Sequence, residues 1–251
     1  MNEIKYNITD EAWHNIADAD NIWVKWRFEI LQVLMMKAKI DLKKNYKCLD
    51  IGCGHNNFSL DFEKISNFVI DRVDVDNNIL KNKKKGRGSS FVYDINEKNK
   101  NLENKYDIIF LLDVLEHVDK DKEFLQSCYF HLKKDGFLIM NVPCIPELFS
   151  KYDEAVGHLR RYKKENLKNL LIENNFNVLL MKYWGFLLIP LLFLRKIIVS
   201  ISKHNKTELI KKGMDTKSTP ILFIINVLRY IELKILKIRF FGTSLISIVK
   251  K

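Results

Sequence analysis

Hydrophobic and polar positions change period several times along the chain, and each change marks an element. Residues 21–40, NIWVKWRFEILQVLMMKAKI, carry apolar side chains around most of a helix, with two tryptophans near its start. Then the period breaks. KCLDIGCG, from Lys47, is a short apolar run that halts on glycines, the pattern of a buried parallel strand entering a tight turn. NFVIDRVDVD, SSFVYDI, YDIIFLLDV and GFLIMNVP repeat the theme, with helical stretches between several of them, notably at 119–133 and 163–174. Strands alternating with helices predict βαβ units and a doubly wound α/β sheet. NVLLMKYW and GTSLISIVKK add two further strands, and the residues between them read as an insertion of apolar helices. KNKKKGRGSS reads as an exposed loop. With no internal repeat and no long linker, the chain is one domain: a helical lid over 1–42, a binding core over 43–184, an insertion over 185–240 and a final strand over 241–251.

A length of 251 residues is enough to bury a sizeable core. The four cysteines, Cys48, Cys53, Cys128 and Cys144, form no CxxC pair and no metal spacing, so they read as reduced thiols of a cytoplasmic protein. MNEIKYNITDEAW has no apolar core of a signal peptide. The net charge of +11 is unevenly placed. From Tyr183 onward there are 13 Lys+Arg against 3 Asp+Glu, a balance of +10, which leaves +1 for everything before it. A general lysine bias would spread evenly; this excess points the C-terminal part at something anionic, membrane lipid or a phosphorylated substrate.

Candidate chemistry gathers at strand ends. CLDIGCG places Asp50, Gly52 and Gly54 where the first strand turns into a helix, and glycines there let a backbone approach a ligand and take positive φ. The spacing is D-x-G-x-G, with no P-loop lysine. By itself it is no more than a tight strand-to-helix turn. Asp74, with Val75 beside it, follows Gly54 by the length of one helix and one strand, and is placed to accept the two hydroxyls of a ribose. Asp94 can accept from an exocyclic adenine amine, with Ile95 against the ring, and Asp113 closes the fourth strand. Four strands in succession ending in Asp line one carboxyl edge, where such sheets bind ligands.

At these residues the chain resembles the class I S-adenosylmethionine-dependent methyltransferases. LDIGCG is similar to their first motif, VDVD to their ribose-binding acidic motif and DVLEHV to the motif after strand four. LKKDGFLIMNVP resembles the strand-five segment, and GHLRRYKKENLKNLLIENNF the stretch leading to strand six. NIWVKWR resembles the lid helix of a bacterial branch acting on small molecules and lipids, matching at Trp23, Lys25 and Arg27, which makes Trp23 and Arg27 cofactor-binding candidates. The resemblance implies a Rossmann-like seven-stranded sheet whose last strand, GTSLISIVKK, is antiparallel. It also implies S-adenosyl-L-methionine as cofactor and S-adenosyl-L-homocysteine as product.

Methyl transfer from a sulfonium needs alignment of the nucleophile and, where required, a base. Relatives that methylate amide or base amines often carry (D/N)PPY after strand four; here that place reads DVLE, which favours oxygen. Asn141-Val142-Pro143 follows strand five and is a different feature. His158, in DEAVGHLRRY, and His117, in LEHV, are the candidate bases, with local packing or hydrogen bonding as their alternative roles. Asp113, Glu116, His117 and His158 have the residue types of a metal cluster, as in some RNA-end methyltransferases. EH is frequent in this motif in enzymes without metal, so no metal is expected. Arg160, Arg161 and Tyr162 are candidates to hold a phosphate or carboxylate of the acceptor, or are solvated loop residues.

Lys182 and Arg195 bracket only 12 uncharged residues, about 18 Å of helix against about 30 Å of bilayer core. Pro190 interrupts that run further, so a membrane span is excluded. PILFIINVLRYIELKILKIRF repeats apolar residues at helical spacing with Arg and Lys between them, the composition of an interfacial helix. The expectation is a cytoplasmic enzyme, peripheral on an anionic membrane face, whose two apolar helices cover the site of a small lipophilic or lipid-linked acceptor. Packing of both helices as an ordinary cap is the competing reading. An RNA or protein methyltransferase and a non-catalytic cofactor-binding subunit are the alternatives. Nucleic acid is disfavoured because the basic residues are interleaved with Ile, Leu and Phe.

Overall fold

A computed structural model describes residues 22–77, 85–201, 219–234 and 240–251. Seven strands form one sheet in the order β3-β2-β1-β4-β5-β7-β6. They are β1 (Lys47–Ile51), β2 (Val69–Asp74), β3 (Ser90–Val92), β4 (Tyr106–Leu112), β5 (Leu132–Pro143), β6 (Asn177–Trp184) and β7 (Ser244–Lys250). β1 to β5 pair in parallel, whereas β7 runs antiparallel to both β5 and β6. The seven-stranded, doubly wound expectation with an antiparallel final strand therefore holds.

Successive residues of the central strands feed opposite faces, as pleating requires. In β4, Ile109 and Leu111 join the layer packed beneath α3 (Asp121–His131) and α5 (Lys164–Glu173). Ile108 and Phe110 join the layer beneath α1 (Ile22–Lys37) and α2 (Asn57–Ile65). Because both faces are covered, β1 and β4 read as continuous apolar runs rather than alternating ones. α1 buries Ile22, Trp26, Ile30, Leu31, Leu34 and Met35, one face at helical spacing.

The insertion contributes α6 (Ile189–Ile201) and α7 (Thr219–Lys234). Pro190 does not interrupt α6. It lies in the first turn, where a missing N–H costs nothing and a fixed φ suits the helix. A short helix, α4 (Lys151–Ala155), follows β5, and α6 packs on it. α7 packs on α1, where Arg229 Nη1 meets Glu29 Oε1 at 2.6 Å. Glu232, fully buried, accepts the Gly185 N–H at 2.6 Å, which fixes α7 to the end of β6.

The loop reading of KNKKKGRGSS holds in its described half, where 85–89 form no helix or strand and Lys85, Arg87 and Ser89 are exposed. Arg87 donates to the carbonyls of Glu63, Ser66 and Phe68, and its N–H to Glu63 Oε2, so the chain there is stapled down. Residues 81–84 lie outside the described residues, as do 1–21, 202–218 and 235–239 of the lid and insertion. No helix among the described residues is long and apolar enough to cross a membrane.

Candidate functional site

The carboxyl edge is built around the turn after β1. Gly52 and Gly54 hold φ of 66° and 52°, the left-handed region open to glycine. A Cβ on Gly52 would stand 2.6 Å from Val114 Cγ2, so the turn has no room for a side chain. Asp74, at the tip of β2, accepts the Gly54 N–H on Oδ2 at 3.1 Å and the Asp76 N–H on Oδ1 at 3.0 Å. The acidic residue of β2 and the glycine turn of β1 are thus one unit, and Val75 beside them is exposed. Asp50 lies beneath the turn at 3% exposure, with Oδ2 buried and without a hydrogen-bond partner. Burial pushes its carboxyl up from 3.8 to about 7, against the opposing pull of Ser59, Arg72 and Arg27. Under it, fully buried Arg72 pairs with Glu63 at 2.8 Å and donates to Ser59 Oγ at 2.8 Å.

Asp94 caps the 3-10 turn Ile95–Glu97, accepting the N–H and the Nδ2 of Asn96, both at 2.8 Å. Ile95 requires a correction. At 2% exposure its side chain belongs to the core and is not offered to an adenine ring.

The lid reaches the same edge. Arg27 pairs with Asp113, which also accepts from Asn141 Nδ2, and Asn141 Oδ1 accepts the Trp184 Nε1–H at 2.8 Å. Asp113 sits at φ 58°, a conformation Asp tolerates. A polar chain therefore runs from α1 through the tips of β4 and β5 to the end of β6. Trp23 stacks parallel on Trp26, ring centroids 6.4 Å apart.

His117 and His158 come together beyond Asp113, their rings 4.9 Å apart at 79°. His158 Nδ1 lies 3.0 Å from Asp153 Oδ1, and His117 Nδ1 lies 3.0 Å from the Gly157 carbonyl. Burial alone would raise the Asp153 carboxyl; the His158 hydrogen bond and the Arg161 guanidinium more than offset it and hold it at about 2. Glu116, fully buried between these groups, is pushed up by burial and by Asp113.

The three candidate acceptor residues, Arg160, Arg161 and Tyr162, are each engaged within the fold. Arg161 is buried, with Nη2 2.6 Å from Asp153 Oδ1 and Nη1 donating to the Cys144 carbonyl. Tyr162 is buried too, its hydroxyl on Asp121 Oδ2 and the Leu115 carbonyl. Arg160 pairs with Asp121 at 3.0 Å and donates to the Asp119 carbonyl. Carboxylates and backbone carbonyls of the fold each accept from these three residues, which a motif match does not reveal. All three line a cavity of about 500 Å³ with Pro146, Asn166 and Leu170, but no residue of the glycine turn lines it. Sequence reading missed Asp153, and the DEAVGH spacing that sets it five residues before His158 was its only signal. It also missed Asn141 as a side-chain partner of Asp113, and the Arg72–Glu63 pair.

The family model described as "Methyltransferase domain" matches residues 23–180. Among solved structures, a SAM-dependent methyltransferase from Archaeoglobus fulgidus superposes with a TM-score of 0.54 at 21% identity, covering 90% of this chain and 96% of that one. One from Mesorhizobium loti gives 0.57 at 10% identity, covering 88% and 98%. Phosphoethanolamine N-methyltransferase 2 of Haemonchus contortus, in complex with S-adenosyl-L-methionine, gives 0.61 at 16% identity, covering 96% of this chain and 56% of that one. At such identities the likeness is one of fold. No match is found among curated protein sequences.

Proposed function

The chain belongs to the methyltransferase-domain family and takes S-adenosylmethionine as its methyl donor, and on that premise we propose that it methylates an oxygen of a small lipophilic or lipid-linked acceptor. The edge residues fit such a donor. Asp50 offers a buried, unpartnered carboxylate oxygen, and Gly52 presents bare backbone where any Cβ would collide. Asp74 would hold the ribose hydroxyls, and Asp94 the adenine amine. Bound there, the cofactor supplies an electrophilic methyl group; the chain's own part is to orient the acceptor, exclude water and take a proton. His158, steadied by Asp153, is the group placed to do the last. Asn141 is committed to Asp113 and Trp184, which supports oxygen over an amine held by an amide side chain.

The observation that carries the acceptor class is the apolar face of the insertion. α6 exposes Phe193, Leu194, Ile198 and Ile201, and α7 exposes Phe223 and Ile224. Large apolar side chains exposed on successive turns of a helix mark a surface for interaction. α6 is tied to the site: Arg195 lies 3.9 Å over the Tyr152 ring and Lys196 donates to the Glu147 carbonyl. An anionic bilayer suits this face, because the excess positive charge of the chain lies in the same region. The described basic residues Arg160, Arg161 and Arg229 are all paired with carboxylates, which counts against a nucleic-acid footprint.

The test incubates the protein with radiolabelled S-adenosylmethionine and a lipid extract, and runs vesicle co-sedimentation over a salt series beside it. Label entering an organic-extractable, base-stable product, with sedimentation on anionic vesicles that weakens as salt rises, is expected. Label found only in RNA or protein, with no sedimentation on neutral or anionic vesicles, overturns the reading.

A further inference from the structure

A half-buried cation of the insertion goes without an anion among the described residues. Arg160, Arg161 and Arg229 each meet a carboxylate, at 3.0, 2.6 and 2.6 Å. Arg195, on α6, forms no ion pair or hydrogen bond with any described residue; its guanidinium lies 3.9 Å over the Tyr152 ring of α4. Burial pulls that guanidinium below its ordinary range, while Tyr152 and Asp153 act the other way and Arg161 adds to the fall. Asp153 is held by Arg161 at 2.6 Å, so the charge of Arg195 is left over where the two helices meet.

The ring beneath it brings a second donor. Tyr152 is buried at 4% exposure, and its hydroxyl has no hydrogen-bond partner. A buried phenol ordinarily finds one. Burial pushes this hydroxyl up from its ordinary value, so it stays protonated and able to donate. Two donors, one charged and one neutral, therefore stand together with no acceptor. Because the guanidinium covers the ring of the same tyrosine, a group the size of a phosphate spans the two. A phosphate can fill the guanidinium fork and still turn an oxygen to the hydroxyl, whereas a carboxylate is used up by the fork alone.

The pair lies where an acceptor would. Tyr152 precedes Asp153, whose Oδ1 is 3.0 Å from His158 Nδ1, and α6 packs on α4. Along α6 only Val199 is fully buried. Leu191 and Ile198, one turn to either side of Arg195, are exposed, as is Leu194. We propose that Arg195 and Tyr152 form a phosphate subsite, and that the acceptor is a phosphorylated amphiphile whose apolar tail lies along α6. The class of acceptor rests on the proposed transfer to a lipid-linked molecule; the subsite does not.

The test titrates the full chain with decyl phosphate, decanoate and decanol by calorimetry, with S-adenosylhomocysteine present. Decyl phosphate should bind at least about 10-fold tighter than either of the others. Tyr152→Phe keeps the ring under Arg195 and removes only the hydroxyl. It should weaken decyl phosphate about 10-fold, and Arg195→Gln about 10- to 100-fold, with decanol unaffected. Without ligand, Tyr152→Phe should melt at or above the wild-type temperature, because it removes a buried hydroxyl that has no partner in the fold; this variant serves if Arg195→Gln does not fold. A marked fall in its melt, decanoate or decanol binding as tightly as decyl phosphate, or a phosphate preference that survives both substitutions overturns the subsite. Co-sedimentation with anionic vesicles separates a bilayer headgroup from the acceptor as the source of the phosphate. Tyr152→Phe should leave sedimentation as it was; a loss parallel to that for decyl phosphate gives the site to the bilayer and overturns the acceptor class. Decyl phosphate binding without methyl transfer to lipid keeps the subsite and removes the lipid-linked reading, and methyl transfer to lipid without that binding does the reverse.

Discussion

Replacing Asp50 with asparagine should change how the stability of the cofactor-free protein depends on pH. In the native state burial raises this carboxyl from 3.8 to about 7. Between those values the folded chain keeps a proton that the unfolded chain has released, so stability falls as pH rises through the window and levels off above about 7. Each pH unit within it is worth about 1.4 kcal/mol. The carboxyl therefore costs the fold about 4 kcal/mol at pH 8 relative to pH 4. Asparagine cannot ionise and removes this dependence, while its amide adds a pH-independent penalty of about 1–3 kcal/mol for a buried unpaired donor. Urea denaturation at pH 5, 6, 7 and 8, followed by tryptophan fluorescence, separates the two. The variant's stability relative to wild type should climb by that same increment for each unit from pH 5 to 7 and then stay constant. Parallel curves would refute the reasoning, whatever their vertical offset, because they would mean that Asp50 titrates alike in both states.

Other consequences are equally direct. Asp74→Ala should weaken S-adenosylmethionine binding roughly 10- to 100-fold by calorimetry, the worth of a charge-assisted pair of hydrogen bonds; unchanged affinity sinks the ribose assignment. His158→Ala should lower turnover about 10²- to 10⁴-fold while leaving cofactor affinity as it was, and a wild-type rate on the identified acceptor removes His158 from the chemistry. Gly52→Ala should destabilise by about 1–2 kcal/mol from its left-handed φ alone, with a further loss from the Val114 contact that Val114→Ala restores; full recovery in the double variant would show that φ is not the constraint. Glu232→Ala should cost about 1–3 kcal/mol in a thermal or urea melt by stranding the buried Gly185 N–H, and a neutral result would mean that α7 is held by its apolar face alone.

The elements of this fold were legible wherever one physical pattern dominated. β1 and β4, covered on both faces, announce themselves as apolar runs without alternation, and Gly52 marks the turn after β1 because a side chain there would collide with Val114. Asp74 was legible because its place follows from strand length. What stayed hidden depends on pairing between distant residues. Arg161 looks like a surface cation until Asp153 and the Cys144 carbonyl are beside it. Tyr162 looks like a ligand contact until its hydroxyl is seen on Asp121. Ile95 had the right position for a ring contact, but the direction of its side chain is set by the turn that Asp94 caps. Pro190 was misread because a proline's effect depends on its distance from a helix start, and the start itself is decided by Gly185 and the packing of Leu188. The Trp184–Asn141–Asp113–Arg27 chain joins the lid helix to the far end of the sheet, which no local window captures.

The strand order has a consequence for the newborn chain. β6 meets the sheet only through β7, and the whole insertion lies between Trp184, where β6 ends, and Ser244, where β7 begins. At synthesis rates of about 5–20 residues per second, several seconds separate the two strands as they leave the ribosome. During that interval β6 has no edge to pair with, and α6 and α7 emerge before the strand that closes the sheet beside them. Both helices pack on elements made before them, α6 on α4 and α7 on α1, so it is the sheet edge at β6 that waits for β7. A growing chain of this kind has time to meet a chaperone or a bilayer before it has finished meeting itself.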